Sequence, residues 1–416
     1  MKEIILIGIL FLFTQACIGQ QLTLTDYTPI ISIGNLPDVC IKKEKISIEH
    51  IDKKAGDKVI DEYLKENNAN LTSLFQNERI LYNDTVSKYL NKVATIITNE
   101  SPELKGQLQF FLLESNEVNA YSLSNGCILV TTALIAQIEN EAQLAYILCH
   151  EIIHYQRKHS YNAFKDIKSI GDDKDVLSSA SFNLEKASYS RENESQADEE
   201  GLELFKKTGY KTQLATGAMD VLLYAYLPFE DIVFNKDFFE DRCFKFPSEY
   251  FLKEQELNPI KSVEEYDDRW STHPNIKTRR FNLMKNIEAY TNKNKGEKFI
   301  VSEAAFYYIR DICRIEISSK FIAKLDYANS IYSAYILLKK YPDNFYIKKL
   351  IAKSLYNFAA HKIKVSNPLL YAEDLNNETM IISSFRLKDY KKIEGQSQQL
   401  YYLLNKMSRQ EAAILA

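Results

Sequence analysis

Two histidines four residues apart with a glutamate between them, His150-Glu151-Ile152-Ile153-His154, are the residues of this chain best suited to chemistry. On one helix, positions four apart share a face about one turn from each other, so both imidazoles can reach one metal ion. Glu151, rotated about 100° from His150, borders the same cleft. A zinc ion held this way polarises a water molecule and a neighbouring carboxylate can take its proton, which is the chemistry of metal-assisted hydrolysis. With only six histidines in 416 residues, chance produces such a run in roughly one chain in a hundred. His150, His154, His159 and His273 fall in or beside the motifs discussed below, whereas His50 and His361 stand alone and read as surface residues.

The helix carrying this motif must open near Asn140, which with Gln143 makes a capping box, and is expected to run to about His159. Leu144, Ala145, Leu148, Cys149 and Ile152 fall on the side opposite His150, Glu151 and His154, so the back of the helix packs on a core while the motif faces a cleft. Upstream, Leu81, Val86, Tyr89, Leu90, Val93, Ile96 and Ile97 have helical spacing. Residues 108–113 and Cys127–Thr131 read as strands of a small sheet, with Asn116, Asn119 and the turn Ser124-Asn125-Gly126 between them. Downstream, a loop rich in Asp, Ser and Gly over 169–181 leads to a second helix over 190–207 that stops at Gly209. Residues 220–269 read as loops and short helices overhanging the cleft.

A catalytic zinc usually takes three protein ligands and keeps one position for water. Glu194 and Asp198 on the second helix are four apart and share a face, while the small Ala197 and Gly201 allow that helix to come close to the first. Glu194 can then complete a His-His-Glu set, and Asp198 can accept a hydrogen bond from a ligand ring nitrogen. Read alone, the same acids describe a solvated helix face.

Together these motifs resemble metallopeptidase family forty-eight, the family of the CAAX prenyl proteases, over residues 81–280. The run from Leu144 to His154, followed by His159, is similar to that family's zinc helix, and Ser190-Arg191 with Glu194, Ala197 and Asp198 matches its S-R-x-x-E-x-x-A-D motif. Ser271-Thr272-His273-Pro274 with Arg279 resembles its H-P-x-x-x-x-R element. The resemblance implies a mainly helical α+β fold with a zincin-like, gluzincin-type core and a small sheet. It implies one zinc ion held by His150, His154 and Glu194, with Asp198 in support, His273 facing the oxyanion and Arg279 ordering the acids. Asn119-Ala120-Tyr121 and Asn125-Gly126 look like the family's sheet-edge segment, which implies that the strand Cys127, Ile128, Leu129, Val130 lies along the cleft and pairs with an extended substrate. Ile153 and Asn125 stand where glycine is frequent in the family and change bulk near the cleft without touching a ligand.

Composition limits the alternatives. Net charge is -4, from 52 basic and 56 acidic residues, which offers no reason to expect nucleic acid as partner. Met1-Lys2-Glu3, the apolar run 4–13 and the small and polar residues 14–20 have a signal-peptide layout over 1–19, and no segment is long and apolar enough for a transmembrane helix. Cys17 after Ala16 is a candidate for lipid anchoring, although Thr14 stands where a lipobox has Leu, and cleavage after Gly19 without lipid is the other outcome. Either way the chain is expected to be exported, to the bacterial periplasm, to the outer membrane as a lipoprotein, or out of the cell. The five remaining cysteines show no disulfide or zinc-site spacing.

The length predicts two units, a peptidase domain over 20–296 and a helical domain over 297–416. In the second, Tyr327, Ala328, Ala334, Leu338 and Tyr341-Pro342-Asp343-Asn344 resemble one tetratricopeptide-like hairpin, and a plain bundle fits equally. These helices are expected to hold a protein partner. The functional expectation is a zinc endopeptidase acting on protein or peptide substrates, with Glu151 as base. The rival is a chaperone-like assembly factor whose protease site is closed or rarely used. Zinc in a purely structural role needs four ligands and no base, which leaves Glu151 unexplained.

Overall fold

The computed structural model describes residues 24, 27–35, 58–77, 79–170, 191–261, 273, 275–366 and 387–416. The proposed leader with Cys17, the loop over 171–181, Ser190, Thr272 and Pro274 lie outside the described residues. A helix α1 (Lys58–Gln76) precedes β1 (Ile80–Leu81) and α2 (Thr85–Asn99). Asp84 starts α2 by accepting hydrogen bonds from the amides of Val86 and Ser87. Then follow β2 (Gln109–Leu113), β3 (Ala120–Ser122) and β4 (Cys127–Thr131), α3 (Thr132–Gln137), α4 (Glu141–Gln156) and α5 (His159–Ile170). Beyond residue 190 come α6 (Arg191–Phe205), α7 (Thr216–Leu223) and α8 (Ile276–Ala289). The C-terminal helices are α9 (Glu303–Ala323), α10 (Tyr327–Lys340), α11 (Phe345–Ser366), α12 (Ser397–Lys406) and α13 (Arg409–Leu415).

The four strands form one mixed sheet in the order β1-β2-β4-β3, with β2 parallel to β4 and the other pairs antiparallel. Because side chains alternate across a strand, Phe110, Leu112, Ile128 and Val130 enter the main core, whereas Phe111, Leu113, Cys127 and Leu129 meet Leu71 and Phe75 of α1 on the other face. The sheet is therefore covered on both sides, which is why β4 reads as a continuous apolar run rather than an alternating one. Gly126 makes the turn into β4 at φ +80°, and a Cβ there would lie 2.0 Å from the Gln107 carbonyl oxygen.

This topology corrects the expectation that Cys127–Val130 forms the cleft-edge strand. β4 is flanked by β2 and β3 and fully buried, so its hydrogen-bonding groups are committed to its neighbours and a substrate cannot pair with it. The strand that ends the sheet on this side is β3, and its three residues are buried as well.

The helix expected to reach His159 stops earlier. Arg157 caps α4, Lys158 takes a left-handed conformation at φ 57°, and His159 begins α5. Asn140 does cap α4 by accepting from the Gln143 amide, but the Gln143 side chain turns back to the Glu139 amide, one residue further than a capping box requires.

Residues 230–258 do not overhang the cleft; they lie on the C-terminal helices. The Tyr332 hydroxyl takes the Ile232 amide at 3.0 Å and donates to its carbonyl at 2.6 Å, Tyr335 does the same for the Asn235 amide and the Val233 carbonyl, and the Asn258 amide donates to Gln398 Oε1. The C-terminal helices in turn share a core with the peptidase half. α9 packs on α2 and α3 as well as on α10, and Ile309, Ile312 and Ile315 join one apolar cluster with Leu90, Leu134 and Ile135. A carboxylate reinforces this junction. Glu141, in the first turn of α4 and fully buried, accepts from the Tyr89 and Tyr210 hydroxyls and from the amides of Ile300, Val301 and Ser302.

Candidate active site

The site forms where α4 crosses α6. A Cβ at Gly201 would stand 3.2 Å from the Cα and amide nitrogen of His150, so glycine is what permits this approach. Across the contact, His150 Nε2 lies 2.9 Å from His154 Nε2 and 3.7 Å from Glu194 Oε2, and His154 Nε2 lies 3.3 Å from Glu194 Oε1. Two ligands of a tetrahedral zinc, each roughly 2.0–2.1 Å from the ion, stand roughly 3.3 Å apart, and the observed spacings bracket that value. His273, which precedes α8, joins the group: donor atoms of His150, His154, Glu194 and His273 all lie within 4.8 Å of one another, and all four residues are buried. Nitrogen and carboxylate acceptors turned on one point repel unless a cation or proton lies between them, so the donor set fits a zinc ion.

The surrounding charges hold these donor groups in place. Arg279 on α8 grips Asp198 with two hydrogen bonds, from Nε at 2.7 Å and Nη2 at 2.8 Å, and pairs with Glu194 through Nη1. Asp198 Oδ1 stands 3.0 Å from His150 Nδ1 and accepts from the Tyr146 hydroxyl at 3.4 Å. Burial alone would raise the carboxyl pKa of Glu194 and Asp198, but the Arg279 guanidinium outweighs it and holds both below the usual carboxylate range. Glu151 goes the other way. Burial raises its pKa against the pull of His273 and His150, and its Oε2 has no hydrogen-bond partner in the described structure. An orphaned, basic carboxylate oxygen beside a metal-binding donor set is what a general base for bound water requires. Burial also pushes His154 down to about 3, keeping the ring neutral and its lone pair available.

His273 directs Nδ1 at both Glu194 oxygens, 3.1 and 3.2 Å away, and its Nε2 stands 3.9 Å from Glu151 Oε1. It thus lies in the donor set itself, closer than a residue that only borders the cleft. An apolar cavity opens beside Glu151 and His150, walled by Leu134, Ile147, Ala218, Met219 and Leu222.

Comparison with known proteins gives a match to the model of peptidase family M48 over residues 81–287. The chain belongs to peptidase family M48. Its M48 domain adopts the zincin-like fold, and the matched span contains every donor and charged residue described above. The chain is similar to the beta-barrel assembly-enhancing protease of Escherichia coli (strain K12), 24% identical over 165 residues that cover 34% of each protein. It is also similar to the metalloprotease YcaL of the same organism, 28% identical over 152 residues that cover 33% of this chain and 59% of that protein. The chain therefore spans about a third of the length of the assembly-enhancing protease it matches.

Within the M48 domain, the structure brings His150, Glu151, His154, Glu194, Asp198, His273 and Arg279 into one cluster, and leaves Cys127–Val130 inside the sheet. Sequence reasoning missed Tyr146, which only its position four residues before His150 could have suggested, and the apolar wall supplied by α7. No helix among the described residues is long and apolar enough to cross a membrane.

Proposed function

We propose that this chain is a zinc-dependent metalloendopeptidase that cuts peptide bonds in exported or envelope proteins. The observation that carries the reading is the buried set of His150, His154 and Glu194 with, beside it, the Glu151 oxygen that has no hydrogen-bond partner among the described residues. Zinc, when bound, supplies the Lewis acidity that acidifies water and polarises the substrate carbonyl. His150, His154 and Glu194 would hold it. Glu151 takes a proton from the attacking water as the new C–O bond forms, and hands it to the amide nitrogen as the C–N bond breaks. The His273 ring stands where it can donate to the carbonyl oxygen as negative charge gathers there. The apolar cavity formed with α7 suits an apolar side chain next to the scissile bond.

The N-terminal layout supports export, with acylation of Cys17 as the proposed anchor and cleavage after Gly19 as the route to a free protein. The names of the relatives support envelope proteins as substrates, and the C-terminal helices over 297–416, which share a core with the peptidase half, are proposed to hold a partner protein.

A second reading is favoured by His273. With its ring inside the donor set, a bound cation is offered four protein ligands and the position for water is filled, which suits an assembly factor with a closed site. One experiment separates the two. The purified protein, Glu151→Gln and His273→Ala are compared for zinc content and for chelator-sensitive cleavage of an unstructured peptide library. Glu151→Gln is expected to keep zinc and lose on the order of 10²–10⁴-fold in turnover; parent-like turnover removes the base. His273→Ala loses about 10²-fold if it serves the oxyanion, and gains activity if it closes the site.

A further inference from the structure

Behind His154 runs a chain of polar contacts that the reading above does not use. His154 Nδ1 lies 2.8 Å from His159 Nδ1, and His159 Nε2 lies 3.2 Å from Gln196 Oε1 on α6. Gln196 Nε2 donates to Glu200 Oε1 at 2.8 Å, and Arg157, the residue that caps α4, donates to Glu200 Oε2 from Nε at 2.7 Å. The chain thus begins and ends on the helix that carries the zinc motif.

Each link fixes the next. An ionised carboxylate only accepts, so Glu200 obliges the Gln196 amide to present its NH₂ there and its oxygen to His159. That oxygen also only accepts, so the proton of the neutral His159 ring sits on Nε2 and its Nδ1 carries a bare lone pair. The Nδ1 of His154 must then be the protonated member of the 2.8 Å pair, which leaves the lone pair of His154 on Nε2. Nε2 is the atom turned towards His150 and Glu194.

The backbone is shaped for this contact. On an unbroken helix a residue five places after His154 is rotated by about 140° from it. The left-handed Lys158 ends α4 and lets His159 turn back onto the His154 ring. The choice of a neutral partner also has a reason. His150 has a carboxylate behind it, Asp198, and the site already holds Glu151 and Glu194 against one buried arginine. An acid behind His154 as well would add a further buried negative charge, whereas an imidazole fixes the tautomer at no net charge.

We propose that His159 is a positioning residue that locks His154 in the tautomer able to bind zinc, with Gln196 locking His159 in turn. This rests on the reading of the donor set as a zinc site, and its test is chosen so that the two can fail separately. The first measurement is of histidine tautomers by two-bond ¹⁵N–¹H correlation on the full-length zinc-loaded protein. His159 is expected to be protonated on Nε2 and bare on Nδ1; the opposite tautomer overturns the proposal.

The second is zinc affinity, by competition with a chromophoric chelator. His159→Ala is expected to weaken binding by roughly 10- to 100-fold, the usual cost of losing such a partner. His159→Asn, whose Oδ1 occupies about the place of Nδ1, should recover most of the loss, and His159→Gln should not. If His159→Ala fails to fold, Gln196→Met serves, with a smaller loss expected. Affinity within twofold of the parent in the folded variants overturns the proposal, as does equal rescue by Asn and Gln. A parent that binds no zinc overturns the peptidase reading instead.

Discussion

The contact between α4 and α6 and the contacts among α9, α10 and α11 use the same device, small residues that let helices approach, and hold different things there. In the C-terminal contact Ser330 donates to the Ser318 carbonyl and Ser354 donates to Ser330, with Ala328 and Ala334 buried nearby. Buried acids in that region are met mainly from within the protein: Asp311 Oδ2 takes Lys340 and the Tyr341 hydroxyl while its Oδ1 faces Arg314 at 3.8 Å, and Glu316 takes the Tyr27 hydroxyl and the Ile30 amide. At the α4–α6 contact Gly201 and Ala197 instead bring together two histidines and the acids Glu194 and Asp198, with Glu151 beside them and Arg279 the one fully ionised partner supplied by the described residues. Close packing of neutral groups is complete in itself. Close packing of charges leaves a demand that only a cation meets, so the first region owes its stability to packing and the second owes part of its own to what it binds.

The largest expected effect breaks the idea that the two regions are separable. Ending the chain near Asn294 removes α9 from the faces of α2 and α3 and strips Glu141 of its three amide donors. The truncated protein is expected to be unfolded by circular dichroism; a cooperative transition at the parent temperature would show the regions to be independent. Glu141→Ala is the milder form of the same test. It leaves two tyrosine hydroxyls and three amides without their acceptor, so urea unfolding should show a loss of about 3–5 kcal/mol, since each buried donor left unsatisfied costs about 1–3 kcal/mol and part of that is relieved by relaxation. A loss below about 1 kcal/mol would mean that water replaces the carboxylate.

Gly201→Ala sharpens the comparison with the smallest effect on stability. The new methyl meets backbone rather than a flexible side chain, so α6 must move, at about 1–3 kcal/mol. Because Glu194 and Asp198 move with it, zinc affinity should fall while the C-terminal helices keep their hydrogen-exchange protection. Unchanged zinc affinity would show that the ligand geometry does not depend on this approach.

The sequence was most legible where chemistry and spacing coincide on one element. The i, i+4 pairs of α4 and α6, and the small residues between them, announce a helix crossing loaded with ligands. What stayed hidden depends on single backbone conformations or distant pairings. One left-handed residue, Lys158, decides whether His159 ends one helix or starts the next. An apolar strand such as Cys127–Thr131 looks the same at an edge or in the middle, and only pairing with both β2 and β3 places it inside. The boundary near residue 296 follows a real change to helical periodicity, but periodicity does not say which core α9 enters. His273 and Arg279 could be named from their motif, while their distances to Glu194 could not.

Glu141 gives the fold an order in time. It stands in the first turn of the helix that bears the ligands, and its amide donors lie about 160 residues later in the chain. During synthesis the motif residues and Glu194 therefore emerge well before the segment that settles the start of their helix. A nascent chain carrying every proposed metal ligand is still an unfinished enzyme, and proteolytic competence waits for residues that take no part in the chemistry.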